Sequence, residues 1–341
     1  MLLVECEGTP YQIGHHHGLA ASSQVSHSIA FYTSLFLANC RQTWPQVLEH
    51  AAVFERNIRA KWPAYHEEMR GIADGSRRQL LEIVALNVRT EIAFGLFSDG
   101  CTSLAWHTRE RGWLGQNWDW MTAQKPALIL LKITKSHTPT LVQVTEAGIL
   151  GKIGFNDHGV GTCFNAIRVR GMDPSRLPAH LGLRVVLEST SAADAVRKLE
   201  QHGMASAAHI LVADAHAAVG CEFTQATFEK CVPDAAGRVV HANHFLLEHA
   251  GQRDTVWLKD SLQRVPTMLA NVGKLEEDAG WEEVSRLFED ETNFPAAICR
   301  AETAETGSAT LFNVVMDLKA RKAVVRLGRP TEVEERIELE L

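Results

Sequence analysis

The chain has 341 residues, of which 45% are hydrophobic and 22% charged, and a formal net charge of −7. That length accommodates one large domain or two ordinary ones. The mixing of acidic with basic residues leaves no Lys/Arg stripe for nucleic acid, and no apolar run reaches the ~18 residues of a membrane span.

The opening Met1–Glu7 has no basic segment and gains charge too early for a signal peptide, so it reads as a strand ending in the turn Gly8-Thr9-Pro10. Residues 11–98 read as helical. The second stretch, Trp44 to Trp62, stops at Pro63, where a missing N–H and the ring end a helix. A third helix passes through Glu67–Ala73, and a fourth, Leu80 to Phe97, is apolar enough to be buried. The pattern changes at Cys101. Short strand-like runs follow at Thr102–Trp106, Trp113–Gln116, Ala127–Ile133, Thr140–Val144, Gly148–Ile153, Gly159–Phe164 and His209–Ala213. Helices are expected at Pro178–Leu187, at Ala192–His202 with Ser191 as N-cap, at Thr255–Ala270 and at Trp281–Phe288. Strands Ala309–Asp317 and Ala323–Leu327 close the pattern, and the acidic tail Glu332–Leu341 reads as a solvated end. Helices followed by many short strands indicate an α+β fold in one domain, 1–341.

Seven dispersed cysteines without C-x-x-C spacing point to reduced thiols, a cytoplasmic setting and no zinc. His15-His16-His17 fan out about 100° apart on a helix and cannot converge on one ion, so no metal is assigned. Gly14 and Gly18 belong to no phosphate-cradling loop. One cysteine stands out. Gly100-Cys101 combines an unhindered carbonyl with a nucleophile, the pairing that backbone self-cleavage needs. Sulfur attack on the Gly100 carbonyl, an N-to-S acyl shift and hydrolysis would leave Cys101 with a free α-amine. That amine, with an unperturbed pKa of about 8, can serve as the thiol's own base. Asn117 and Asp119, in Gly115-Gln116-Asn117-Trp118-Asp119-Trp120, alternate onto one face of a probable hairpin and are expected to meet Cys101. Asn165 and Asn243 offer amide N–H groups for an oxyanion.

At these residues the chain resembles the isopenicillin-N acyltransferase family, which groups with the choloylglycine hydrolases among N-terminal-nucleophile enzymes. The likeness runs nearly end to end, through Gly8-Thr9-Pro10, Arg70-Gly71-Ile72-Ala73, Asp99-Gly100-Cys101-Thr102 and Gly115–Asp119. It continues in Thr145–Ile149, Leu187–Ser191, Asn243-His244, Ile298–Ala301, Ala309–Asn313 and Val325–Pro330. The resemblance implies a four-layer αββα sandwich, made as an inactive precursor and cut into 1–100 and 101–341, the two chains staying together. It implies Cys101 as nucleophile and base, Asp119 as its orienter and Asn243 as oxyanion donor. Thr102, Asn117, Trp120, Asn165 and Thr306 are substrate or oxyanion candidates. No cofactor is implied, although a coenzyme A thioester could be a co-substrate. The partner is a small acyl amide or acyl thioester, with no nucleic acid and no membrane.

The activity implied is an acyltransferase or amidohydrolase acting on small N-acyl compounds through a thioester acyl-enzyme. Two other readings stay open: a non-catalytic relative that binds an acylated small molecule, and an unprocessed Cys hydrolase using His241 or His244 as base. Two departures bear on substrate. Family members acting on penicillins carry Ser-Arg where this chain has Thr306-Gly307, so a guanidinium is lost there; Arg300 is a candidate to replace it in part, with a structural role as the other reading. The sequence ends Leu339-Glu340-Leu341, not in the peroxisomal tripeptide of the fungal penicillin enzymes.

Overall fold

The computed structural model describes residues 1–93, 100–304 and 306–341. Thr9 turns the first strand, β1 (Leu2–Glu7), into the first helix, α1 (Pro10–Ala20). Its hydroxyl accepts from the Gln12 N–H and the Gln12 side chain answers to the Thr9 N–H, a capping box with Pro10 at the first helical position. There follow α2 (Ser22–Leu35), which runs into a π turn at Phe36–Cys40, α3 (Trp44–Lys61), α4 (Pro63–Ser76), α5 (Leu80–Asn87) and α6 (Arg89–Ile92). Pro63 both ends α3 and opens α4 as its first residue. The expected fourth helix is thus two, broken at Val88, and its end at Phe94–Phe97 lies outside the described residues.

Gly14 and Gly18 do their work in packing. A Cβ on either would stand 1.9 or 2.2 Å from a carbonyl oxygen of α4, and one on Gly71 or Gly75 would stand 2.1 or 2.3 Å from one of α1. The two helices touch backbone to backbone, which only glycine on both sides permits.

The strands that follow are β2 (Gly100–His107), β3 (Gly112–Met121), β4 (Leu128–Thr134), β5 (Leu141–Glu146), β6 (Ile153–Asn156), β7 (Gly161–Ala166), β8 (Ala208–Ala213), β9 (Ala218–Phe223), β10 (Phe228–Cys231) and β11 (Arg238–His241). Helices α7 (Ala179–Leu187) and α8 (Ala192–His202) lie between β7 and β8, with Ser191 capping α8 as expected. After β11 come α9 (Ser261–Val272), α10 (Trp281–Arg286), β12 (Ser308–Asp317), β13 (Lys322–Arg329) and β14 (Glu332–Glu340). Among the described residues, eight strands form one sheet in the order β1-β4-β5-β6-β7-β8-β9-β10, and six form the other in the order β11-β2-β3-β12-β13-β14.

A continuous apolar cluster between the sheets includes Trp118, Trp120, Phe155, Phe164 and Phe312. A second cluster seats Val265 and Met268 of α9 and Phe288 against Leu104, Trp106 and Trp113, on the other face of β2 and β3. The outcome is helix, sheet, sheet, helix: the αββα sandwich of the N-terminal-nucleophile hydrolases.

Three expectations shift. Gly148–Ile153 is mostly irregular, because Gly148 takes a left-handed φ of 95°, and the strand begins only at Ile153. The helix expected from Thr255 begins at Ser261, because residues 254–256 spend their polar groups outside a helix. Thr255 N–H donates to the Arg168 carbonyl and Val256 N–H to Asp254. The acidic tail is a paired edge strand, β14, with Val333, Ile337 and Leu339 at alternate positions among the glutamates. Among the described residues no helix is long and apolar enough to cross a membrane.

Candidate active site

The register of β2 on β3 sets Gly100 opposite Asp119, Cys101 opposite Trp118 and Thr102 opposite Asn117. Directly opposed residues share a face. Cys101 therefore projects with Trp118 and Trp120 into the space between the sheets, while Asp119 and Asn117 project with Gly100 and Thr102 toward α9. Asp119 and Asn117 do share a face, as alternation requires, but it is the face opposite the Cys101 thiol. What Asp119 meets is the backbone of the junction: a Cβ on Gly100 would lie 2.6 Å from its Oδ2.

On that α9-facing side lies a chain of alternating charges. Asp119 is fully buried and accepts from the Thr310 hydroxyl at 2.6 Å and from Arg300 Nε at 3.3 Å. Burial pushes its carboxyl up to about 6, while Arg300, Arg264 and the Thr310 hydroxyl act in the other direction. Arg300 reaches on to Asp260, whose Oδ2 also accepts from Arg264 Nε at 2.9 Å. Arg264 Nη1 donates to the Cys101 carbonyl and, at 3.0 Å, to the Thr102 hydroxyl. Its Nη2 donates at 2.8 Å to Asn243 Oδ1, and the same oxygen accepts the Cys101 backbone N–H at 2.8 Å. The backbone from Gly100 to Thr102 is thus gripped at a Cα, an N–H and a carbonyl by buried groups.

On the thiol side, Cys101 is fully buried, near Cys163. Ser103 donates to Asn165 Oδ1 at 2.7 Å, and His209 Nδ1 meets the same oxygen at 2.9 Å. Asn165 Nδ2 is buried with no hydrogen-bond partner among the described residues. Trp120 stacks on Trp118 at 6.0 Å, and the Arg89 guanidinium lies 5.5 Å over its ring.

Asn243 is held at both ends. Its N–H donates to Ser261 Oγ at 2.7 Å, and its Nδ2 to the Ala166 carbonyl at 3.0 Å. The segment around it is pinned by the buried Glu222 of β9, which accepts from His241 Nε2, the Leu246 and Leu247 N–H groups and His249 Nε2 at 2.7–3.1 Å. His241 is committed to Glu222 and stacks on His209 at 3.6 Å; His244 Nδ1 bonds Ser261 Oγ, and burial pulls its ring down to about 4. Beside Asn243 and Ala166 opens a narrow cleft whose walls include Arg89, Ile167, Val169 and Leu258. At it, Arg168 stacks on the half-exposed Trp257, 4.3 Å from the ring centroid.

A family model for acyl-coenzyme A:6-aminopenicillanic acid acyl-transferase matches residues 106–332. A relative from Emericella nidulans, the acyl-coenzyme A:6-aminopenicillanic-acid-acyltransferase 40 kDa form, is 42% identical over 98% of this chain and 95% of its own. The chain belongs to the acyl-coenzyme A:6-aminopenicillanic acid acyltransferase family. Two solved structures of variants of the conjugated bile acid hydrolase from Clostridium perfringens share its fold, at TM-scores of 0.50 and 0.52 and 12% identity. They match 71% and 70% of this chain and 92% of their own.

Within this acyltransferase family member, the candidates separate. Cys101, Asp119, Asn243 and Thr102 fall in one hydrogen-bonded group, and Asn165 and Trp120 lie on the thiol side. Asn117 does not serve an oxyanion: both its amide hydrogens go to the Phe288 and Ile298 carbonyls, at 2.8 and 2.9 Å, which anchors the segment leading to Arg300. Thr306 sits exposed in a turn, bonded to Thr303, and among the described residues a Cβ on Gly307 would approach only Glu302, at 4.0 Å. The hydroxyl that reaches Asp119 is that of Thr310 instead. Arg300 does meet Asp119, beside a second guanidinium, Arg264, which sequence reasoning missed along with Asp260. Both lie about 160 residues beyond Cys101, and no local pattern marks them.

Proposed function

We propose that the protein is a self-processing N-terminal-cysteine acyltransferase or amidohydrolase that acts on the carbon–nitrogen amide bonds of small N-acyl compounds. The observation that carries this reading is the grip on the junction: Asn243 on the Cys101 N–H, Arg264 on the Cys101 carbonyl, and Asp119 with Arg300 against Gly100.

In the precursor the Cys101 sulfur attacks the Gly100 carbonyl carbon. The C–N bond breaks, nitrogen takes the proton that sulfur loses, and water cleaves the resulting thioester to free chains 1–100 and 101–341. A fully buried thiol in the uncut chain is consistent with an inactive precursor. In the mature enzyme the α-amine of Cys101 takes the thiol proton, sulfur attacks an amide or thioester carbonyl, and the oxyanion is met by amide N–H groups of Asn243 and Asn165. The amine returns that proton to the leaving amine or thiol, then deprotonates the water or acceptor amine that releases the acyl group. Transfer and hydrolysis differ only in that last nucleophile. The relative's name supports an acyl-coenzyme A donor and a 6-aminopenicillanic acid acceptor as the first pair to try.

Mass spectrometry of the purified protein tests the reading. Pieces 1–100 and 101–341 are expected, with the larger one gaining the acyl mass after incubation with phenylacetyl-coenzyme A or phenoxymethylpenicillin. Cys101→Ala is expected to stay as one chain. A wild-type protein that is uncut and takes no acyl group would refute it.

A further inference from the structure

The guanidinium of Arg264 has donors only, and so has the backbone nitrogen of Cys101. Both meet the same atom of Asn243, each at 2.8 Å. That atom must be the oxygen. The assignment fixes which way the amide points, with Nδ2 on the far side beside the Ala166 carbonyl. One Nδ2 hydrogen goes to Ala166, and the other is left for the cleft that Asn243 and Ala166 both line.

We propose that Arg264 is a positioning residue for acyl transfer, holding the Asn243 amide with its N–H₂ end toward the substrate cleft. This rests on Asn243 as oxyanion donor. Without Arg264, the only other donor on Oδ1 among the described residues would be the nitrogen of residue 101, which in the mature enzyme gains and loses a proton every turnover. Arg264 stays protonated throughout. Its own aim is set by its helix: Asp260 at the start of α9 takes Nε at 2.9 Å, one turn from Arg264. With Nη1 on the Cys101 carbonyl and the Thr102 hydroxyl, a single planar fork fixes nucleophile and oxyanion donor relative to each other. A lysine cannot reproduce that fork.

The test compares two reactions of Cys101 in the processed protein. Acylation by p-nitrophenyl phenylacetate passes through an oxyanion, whereas alkylation by iodoacetamide does not. Arg264→Met is expected to lower the acylation rate by about 10²-fold, the cost of losing one oxyanion donor, with alkylation changed less than about threefold. Arg264→Lys is expected to lose most of the same ratio. Asn243→Ala should match Arg264→Met, and the double variant should be no worse than either single one, since both remove one interaction. Asp260→Asn, which removes the carboxylate charge beside Nε without removing the guanidinium, gives a milder second reading of about tenfold. The ratio is read within each protein, so a variant that folds or matures less well still answers. Equal loss of both rates, no loss of either, multiplying losses in the double variant, or a wild-type ratio in Arg264→Lys would each overturn the proposal. An unchanged ratio in Asn243→Ala would show that the oxyanion assignment itself is wrong, which the Arg264 variants alone would not.

Discussion

Gly100→Ala puts a single methyl group into the most constrained point of the site. Gly100 lies in β2 with no left-handed φ, so alanine meets no backbone penalty there. Its Cβ would stand 2.6 Å from Asp119 Oδ2 and 2.7 Å from Arg300 Nε, both buried. Restoring ordinary contact near 3.4 Å moves each atom by about 0.7–0.8 Å. Neither can swing into solvent, because Asp119 is tied to Thr310 and Arg300 to Asp260. A misplacement of about 1 Å in a reacting geometry costs about 10²-fold in rate, so the proposed cleavage should slow about 30- to 100-fold. Overpacking should cost about 1–3 kcal/mol of stability. Precursor and product bands, followed in time after a pulse of synthesis, measure the rate. Gly115→Ala is the control: its Cβ would press on the Phe288 ring at 2.8 Å in the same strand pair, away from the junction. It should cost similar stability and leave the cleavage rate alone. Maturation of Gly100→Ala at the wild-type rate would refute the reasoning, as would equal slowing in the control.

Asp119→Asn should change how stability depends on pH. The folded carboxyl, at about 6, lies above its ordinary 3.8, so its contribution is complete below pH 3.8 and lost as pH rises through 6. That loss is about 3 kcal/mol; between pH near 4 and near 7, wild type should lose about that much more than Asp119→Asn in urea unfolding, and parallel curves would refute the shift. Glu222→Gln sets an amide N–H₂ among four donors and should cost about 3–5 kcal/mol, together with a drop in acylation as the Asn243 segment loosens. A change under about 0.5 kcal/mol would show that the clamp is dispensable. Deleting 332–341 bares the edge of β13, and light scattering should show aggregation that the full chain lacks; an unchanged size distribution would refute that role for the tail.

The residues at the junction and the β2–β3 pair were legible because they are local: a Gly-Cys step, turn residues and alternation within one hairpin. The side of the sheet on which each group acts was not. A period of two puts Asn117 and Asp119 together, but only the register says that Cys101 opposes Trp118, and register depends on the partner strand. Arg264 and Asp260 could not be found for a similar reason: their charges are stated by the sequence, but their place beside the junction comes from α9 docking on β2. The helix itself was misplaced, since nothing local announces that the Thr255 N–H finds the Arg168 carbonyl. The tail is different. Val333, Ile337 and Leu339 alternate in plain view, and the density of glutamate obscured a strand pattern that was there to be read.

Cys101 and Asp119 occupy opposite faces of one two-stranded ribbon, and that ribbon acts as a partition. Sulfur and indoles belong to one compartment; the acids and guanidiniums that steady the backbone belong to the other. Mutations on the indole side of the ribbon leave the groups that hold the backbone on its other side in place, so one scaffold can alter the first without touching the second.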